Sequence, residues 1–228
     1  MNKTFKVYIV VPAYNEEKCI DKTIKDLRDH GYKNIIVIND GSTDKTSKIA
    51  KDNKVILISH PINLGQGSSI QTGLEYALLS GADILVTFDS DGQHRASDIA
   101  DLLEPIINDK AEVTLGSRFL NKNSNTPWIK QILLKGGAFI LFLMYGIMLT
   151  DTHNGLRAFT ANAASRMKLE SRGMEHASEI IERIKLEKLR YLEVPVTIKY
   201  TSYSIKKGQR ISNSLNILFK MLAKWFLR

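Results

Sequence analysis

Short runs of Val, Ile and Leu recur along the first half of the chain, separated by longer mixed segments. Phe5 to Val11 reads as a buried strand. Lys33 to Asn39, Val55 to Ser59, Ile84 to Phe88 and Glu112 to Gly116 read the same way. Helices are predicted from Asn15 to about His30, through Ala50, through about Leu79, and from Ser97 to Asn108. Asn15 stands as an N-cap with Glu16 and Glu17 in the first turn, and Gly31 as a stop. Strands alternating with helices at this spacing predict an α/β fold, a mostly parallel sheet flanked by helices on both faces. Each strand ends in small or polar residues, at the edge where open α/β sheets bind ligands. No long linker or repeat interrupts the chain.

The second half changes character. Lys130 and Lys135 precede an uncharged apolar run, Gly136 to Thr150, of about 15 residues. A spanning helix needs roughly 20. A buried core helix, a re-entrant segment and a helix in a membrane interface all fit. From Ile211 onward, Asn213, Asn216, Lys220, Lys224 and Arg228 share one helical face. Ile211, Leu215, Leu218, Leu222, Trp225 and Phe226 take the other, with Ile217 off the pattern. Such an amphipathic segment suits an interface.

Charge sharpens that picture. The formal net charge is +8, and no acid follows Glu193, whereas Lys199, Lys206, Lys207, Arg210, Lys220, Lys224 and Arg228 do. A basic terminal stretch expects an anionic partner such as a membrane surface or a phosphorylated lipid. A nucleic-acid partner is disfavoured, because no recognition helix or aromatic motif accompanies the charge. The single cysteine, Cys19, excludes an internal disulfide and fits a reducing cytosol. Met1 to Lys6 lead straight into a strand, so no signal peptide is expected.

The chemistry gathers where the fourth strand stops. Asp89-Ser90-Asp91-Gly92-Gln93 sets two carboxylates one residue apart at a sheet edge. With the Gln93 amide oxygen they suit Mg²⁺ or Mn²⁺ carrying a diphosphate. Pro12-x-Tyr14-Asn15-Glu16 offers an aromatic face and a carboxylate after the first strand. Asp40-Gly41-Ser42-x-Asp44 places an acceptor for a base N–H after the second. Gly116-Ser117-Arg118 adds a cation after the fifth. Gly65-x-Gly67 lacks the third glycine of a dinucleotide fingerprint and follows the wrong strand.

In this order and spacing the four loops resemble the inverting family 2 glycosyltransferases of GT-A fold, a Rossmann-like nucleotide-diphospho-sugar transferase fold. Within the family the chain is most similar to dolichyl- and polyprenyl-phosphate sugar synthases, from Lys6 to about Lys220. The resemblance implies one catalytic domain over 1–228. Its nucleotide-sugar part covers about 5–118, and its acceptor and membrane-facing part about 119–228, with the basic amphipathic helix at 211–228. Pro12, Tyr14, Glu16 and Asp40 match nucleoside contacts. Asp89, Ser90, Asp91 and Gln93 match the diphosphate-binding group, with Asp89, Asp91 and Gln93 on the cation. Arg118 matches the arginine facing the acceptor phosphate, and Glu179 a helix glutamate near the sugar. Asp91, Arg118 and Glu179 are thus the expected catalytic residues. Asp151-x-x-x-Gly155 matches the family's Asp-x-x-Ser-Gly, with Asn154 where Ser is usual.

Departures matter too. Gln66 stands where the family usually has Lys, and Thr201 where an arginine often sits. Lys206, Lys207 or Arg210 would then take the diphosphate charge, and Lys207 is assigned to that site. The Gln-x-x-Arg-Trp motif of processive relatives is absent, which disfavours polymerisation. The long C-terminal pair of spanning helices of some relatives is absent as well, so stable insertion would need a separate membrane-protein partner.

The resemblance implies transfer of a sugar from a nucleotide diphosphate sugar to polyprenyl phosphate, with inversion, at the cytoplasmic face of the cell membrane. The short Thr152 to Arg157 segment and the Lys207 to Arg210 tail favour a UDP-sugar, carrying glucose or N-acetylglucosamine. A soluble family 2 enzyme acting on a saccharide or protein hydroxyl is the alternative; it would need a carboxylate base, for which Glu179 or Asp151 would serve. A non-catalytic nucleotide- or membrane-binding module is the third reading, and the intact Asp-x-Asp-x-Gln set argues against it.

Overall fold

The structure, a computed structural model, describes residues 4–120 and 128–200. Lys206, Lys207, Arg210 and the 211–228 segment lie outside the described residues, as does the side chain of Lys130. The elements in chain order are β1 (Val7–Ala13), α1 (Ile20–Asp29), β2 (Asn34–Asp40), α2 (Thr46–Asp52), β3 (Ile56–His60), α3 (Gln66–Leu79) and β4 (Ile84–Thr87). A short 3-10 turn (Ala96–Asp98) leads into α4 (Ile99–Ile107) and β5 (Val113–Ser117). Then come α5 (Trp128–Tyr145), β6 (Arg157–Thr160), α6 (Ala161–Arg166), α7 (His176–Leu186) and β7 (Tyr191–Pro195).

The strands form one seven-stranded sheet in the order β3-β2-β1-β4-β6-β5-β7. Among the described strands only β6 runs antiparallel to its neighbours, β4 and β5. Successive strand residues point to opposite faces, and both faces are covered, which is why the strands read as unbroken apolar runs. On β1, Ile9 and Val11 pack with Ile24 and Leu27 of α1 and Leu102 of α4. Tyr8 and Val10 pack on the other face with Leu74 of α3 and Ile181 and Ile184 of α7. β1 lies between β2 and β4, so the crossovers diverge on either side of it. The crevice between the carboxyl ends of β1 and β4 is a topological switch point, where such sheets bind ligands.

The α/β class and the five expected strands stand, each within about a residue or two. Three expectations change. The first helix begins at Ile20 rather than Asn15. Asn15 has a left-handed φ of 52° and turns its side chain across to the next loop instead of capping the helix. The apolar run after Lys135 is not one element: α5 ends at Tyr145, and Ile147 and Leu149 are buried in the extended stretch that follows. Finally, α5 is neither wholly buried nor long and apolar enough to span a membrane, and no other described helix is either. It buries Ala138 and Leu141 while leaving Ile132, Phe139 and Leu143 about 60% exposed or more.

Candidate active site

Beyond β4 the chain turns sharply, and the sheet itself holds the turn. Phe88 N donates to Val10 O at 2.9 Å. The Ser90 hydroxyl donates to Pro12 O at 2.7 Å, and Thr23 Oγ1 donates to Ser90 O at 3.2 Å. Ser90 was expected to bind the cofactor; it is buried and instead ties the Asp-x-Asp turn to β1 and α1. Asp89 and Asp91 on either side of it are half-buried.

Asp89 and Asp91 differ in how they are held. Gln66 Nε2 donates to Asp89 Oδ1 at 2.9 Å, and His94 Nε2 lies 3.0 Å from Asp89 Oδ2. Burial works against the Asp89 charge, but the His94 bond, with Arg157 nearby, keeps the carboxyl below its ordinary value. Its side chain remains 28% exposed, so a ligand can still reach it. Among the described residues, Asp91 is bonded only within its own turn, by the Gln93 backbone N–H at 3.0 Å and by the Gln93 amide. Burial, and then the Asp89 charge, push the Asp91 carboxyl above its ordinary value. Two like charges forced together in this way create a demand for a cation.

Among the described residues no group of three His, Cys, Asp or Glu side chains could hold a metal. Mg²⁺ characteristically takes one or two carboxylates and completes its shell with substrate phosphates and water. The Asp89–Asp91 pair fits that role, and Gln93 would have to release Asp91 to join it.

Asp40 is more committed than expected. Oδ1 accepts Leu64 N at 2.9 Å and faces His60 Nδ1 at 2.8 Å, while Oδ2 accepts Gly65 N at 2.8 Å. His60 Nε2 is in turn 3.0 Å from Thr72 Oγ1. A carboxylate has about four lone-pair sites, so this one keeps one for a ligand. The loops after β1 and β2 are latched to each other. Asn15 N donates to Ser42 Oγ at 3.0 Å, and Thr43 N to Asn15 Oδ1 at 2.9 Å. Glu16 N donates to Thr46 Oγ1 at 2.7 Å, and Glu16 itself is buried. Tyr14 stays 43% exposed. Pro12 sits within β1 beside Ile38 of β2.

On the other side of the turn lies Arg118, also buried. Its Nε donates to Asp151 Oδ2 at 2.6 Å, Nη1 to Tyr200 Oη at 3.0 Å and Nη2 to His153 O at 3.3 Å. Burial opposes its charge, but Asp151 and then Tyr200 hold its pKa above the ordinary value. Asp151 is engaged on both oxygens: Arg118 N and Nε and Asn154 Nδ2 reach Oδ2, and His153 N reaches Oδ1. Burial, with Arg157 adding to it, lowers His153 to about 4, so its ring is neutral at pH 7. Arg157 itself donates to three carbonyls, of Asn154, Ala177 and Thr152, and burial lowers it to about 10. The Asp151–Gly155 loop passes close to the Asp-x-Asp turn, and a Cβ at Gly155 would collide with the Asp89 carboxylate.

Glu179 does not stand free as a catalytic acid. It is buried, Oε1 accepting Glu170 N at 2.9 Å and Oε2 accepting Ser171 N at 2.8 Å. The loop it holds caps α3: Gly67 N donates to Arg172 O at 2.8 Å. Gly65 and Gly67 leave room for this loop, since a Cβ at either would strike the carbonyls of Arg172 or Ser171. Their spacing therefore serves backbone against backbone, and Glu179 holds the start of the loop that meets α3.

The sequence singled out Asp89, Asp91, Gln93, Arg118 and Asp151; the structure places Asp89, Asp91 and Gln93 in one turn and pairs Arg118 with Asp151, whose loop abuts Asp89 at Gly155. The sequence reading missed His94 and Tyr200, and it treated Gln66 only as a departure. His94 carried a signal, since it follows the Asp-x-Asp-x-Gln group directly. Tyr200 carried none, because its reach to Arg118 spans 82 residues.

A mixed, mostly parallel sheet with paired carboxylates at its switch point is the architecture of the GT-A glycosyltransferase fold. The chain belongs to glycosyl transferase family 2, whose model matches residues 8–170. It is 40% identical over 237 residues to a UDP-N-acetylglucosamine–dolichyl-phosphate N-acetylglucosaminyltransferase of Methanococcus voltae, covering 95% of this chain and 94% of that protein. It is 29% identical over 203 residues to an undecaprenyl-phosphate mannosyltransferase of Micrococcus luteus, covering 84% and 83%. Among solved structures, glucosyl-3-phosphoglycerate synthase of Mycobacterium tuberculosis with Mn²⁺, UDP and phosphoglyceric acid superposes with a TM-score of 0.75. That match covers 97% of this chain and 78% of that one at 16% identity, a likeness of fold.

Proposed function

We propose that this glycosyltransferase moves a sugar from a UDP-sugar to a polyprenyl phosphate, with inversion, as a peripheral enzyme at the cytoplasmic face of the membrane. One observation carries the reading. The two carboxylates considered as bases for a hydroxyl acceptor, Asp151 and Glu179, are both buried, the first paired with Arg118 and the second engaged by backbone N–H groups. Transfer to a sugar or protein hydroxyl needs a base to take its proton. A phosphate monoester, with its second pKa near 6, arrives already ionised. The exposed apolar side of α5, next to the acceptor loop at Gly137 and His153, suits a lipid-borne acceptor.

The residues then divide the work. Pro12, Tyr14, Glu16 and the open lone pair of Asp40 hold the nucleoside. Asp89, Asp91 and Gln93 hold the diphosphate end, Asp89 being aimed by Gln66 and His94. A Mg²⁺ or Mn²⁺ held there would neutralise charge developing on the leaving diphosphate. Lys207 would add to that charge balance. A guanidinium has five N–H donors; three of those on Arg118 are used, and the other two would grip the acceptor phosphate. An acceptor oxygen bonds to the anomeric carbon as the bond to the diphosphate breaks on the opposite face. The bonding pair leaves with the diphosphate, and no proton moves.

The test is a radiolabelled transfer assay with dolichyl or undecaprenyl phosphate in detergent. UDP-N-acetylglucosamine comes first, because the Methanococcus voltae relative is named for it. UDP-glucose and GDP-mannose follow, each with Mg²⁺, Mn²⁺ or EDTA. An organic-extractable, EDTA-sensitive product is expected with a UDP-sugar. Label transferred only to soluble saccharides would overturn the lipid-phosphate reading.

A further inference from the structure

We infer that Glu193, a β7 residue to which the sequence reading gives no role, is a positioning residue that fixes Arg118 for the acceptor. The inference rests on the proposal that Arg118 grips the acceptor phosphate. β7 runs parallel to β5, with Glu193 opposite Leu115, three residues before Arg118. Among the described residues, the Glu193 carboxylate pairs with no arginine or lysine. Thr150 N donates to Oε1 and Oε2 at 2.9 Å each, Thr150 Oγ1 to Oε1 at 2.8 Å, and Asp151 N to Oε1 at 3.0 Å.

The hydroxyl protons can be assigned from this. A carboxylate only accepts, so the Thr150 proton goes to Glu193. Ser117 Oγ, 2.6 Å away, must then donate to Thr150 Oγ1 and accept Phe119 N at 3.2 Å. The bonds form a one-way chain, Phe119 to Ser117 to Thr150 to Glu193, around the residue they enclose. That residue is Arg118. Asp151, whose backbone N–H ends on the same Glu193 oxygen, takes both Arg118 N at 3.1 Å and Nε at 2.6 Å. One carboxylate thus sets the turn that sets Asp151 and the loop that carries Arg118. Without it, two backbone N–H groups and a hydroxyl lose their acceptor and the Arg118 plane is free to tilt. A displacement of about 1 Å at a reacting group can cost on the order of 10²-fold in rate.

The experiment compares the full chain with Glu193→Ala and Glu193→Gln. The glutamine keeps the oxygen that carries most of these bonds and should stay close to wild type. In the alanine variant the acceptor KM should rise at least tenfold, while the Kd for UDP stays within twofold. Independently of any acceptor, Arg118 Nε–H exchange with water, followed by NMR on ¹⁵N-arginine protein, should quicken at least tenfold. Thr150→Val removes only the hydroxyl and should move both readouts the same way by about threefold, which keeps the test available if Glu193→Ala fails to fold. Unchanged Arg118 exchange, or a loss of UDP binding equal to that of acceptor binding, would overturn the positioning role. Wild-type protein that transfers to no lipid phosphate would sink the functional proposal alone, and the exchange rates would still decide on Glu193.

Discussion

Arg118 and Asp151 form a buried ion pair, Nε to Oδ2 at 2.6 Å, with side-chain exposures of 6% and 0%. Two charges withdrawn from water this far gain little net stability from each other, but removing one strands the other. The pair is therefore best understood by what it orients. It holds a guanidinium in place, with two N–H groups left over among the described residues.

Asp151→Ala should consequently damage folding as well as catalysis. Breaking a buried pair by deleting one partner costs about 3–5 kcal/mol. Urea titration should show that loss with the m-value unchanged, and turnover should fall even at low temperature where the variant is folded. Wild-type stability in Asp151→Ala would mean that the pair is more hydrated than its burial implies.

Asp91→Asn should behave in the opposite way. Burial and the neighbouring Asp89 charge both disfavour the Asp91 carboxylate, so the fold bears a cost for keeping it ionised. The amide removes that repulsion while keeping the shape. Thermal unfolding should occur at the wild-type temperature or a few degrees higher, and transfer should be lost, the pattern of a site that trades stability for function. Mn²⁺ affinity, measured by EPR with UDP present, should fall at least tenfold. Normal turnover would remove Asp91 from the diphosphate site.

How far the sequence carried these conclusions depended on the range of the contact. The parallel half of the sheet was legible because buried strands such as Ile35 to Ile38 leave continuous apolar runs. The Asp-x-Asp turn was legible because its residues are consecutive. β6 was not: Arg157–Thr160 is four residues long, opens on a charged side chain, and becomes a strand only by pairing with β4 and β5. The partners of Ser90 and Glu179 were hidden for a related reason. Residue type and motif position show that an oxygen is present, but not that Pro12 O, Glu170 N or Ser171 N already occupies it. Gly65 and Gly67 were ambiguous until the Arg172 carbonyl was seen against them.

His176 gives the fold a pH dependence with a definite sign. The ring is buried, with Nδ1 2.9 Å from Gly173 O, and burial lowers its pKa from 6.5 to about 4. Between those values the unfolded chain binds the proton and the native chain does not, so stability rises with pH. As pH falls below 6.5 the stabilisation is lost progressively, and the loss levels off near 4. His153, also lowered to about 4, works in the same direction. For His176 alone the effect is on the order of 3 kcal/mol. Urea unfolding at pH 7, 6, 5 and 4.5 should trace it, and His176→Asn, which can keep an N–H toward Gly173 O, should flatten the slope. An equal slope in both proteins would place the dependence elsewhere.

The last prediction concerns α5. Ile132, Phe139 and Leu143 are 61%, 60% and 66% exposed, at spacings that place them on one side of the helix. No acid occurs from Trp128 to Tyr145, so an anionic lipid surface would meet no repulsion there. Burying a large apolar side chain contributes about 1.5–3 kcal/mol. Phe139→Asp with Leu143→Asp should therefore weaken co-sedimentation with phosphatidylglycerol vesicles by roughly 10²-fold or more. Because both side chains are exposed, the unfolding free energy should stay within about 0.5 kcal/mol of wild type. Transfer to a long polyprenyl phosphate in vesicles should fall with vesicle binding, whereas transfer to a short-chain phosphate in detergent should persist. Equal loss on both acceptors would mean that α5 shapes the acceptor pocket itself rather than bringing the enzyme to the lipid surface.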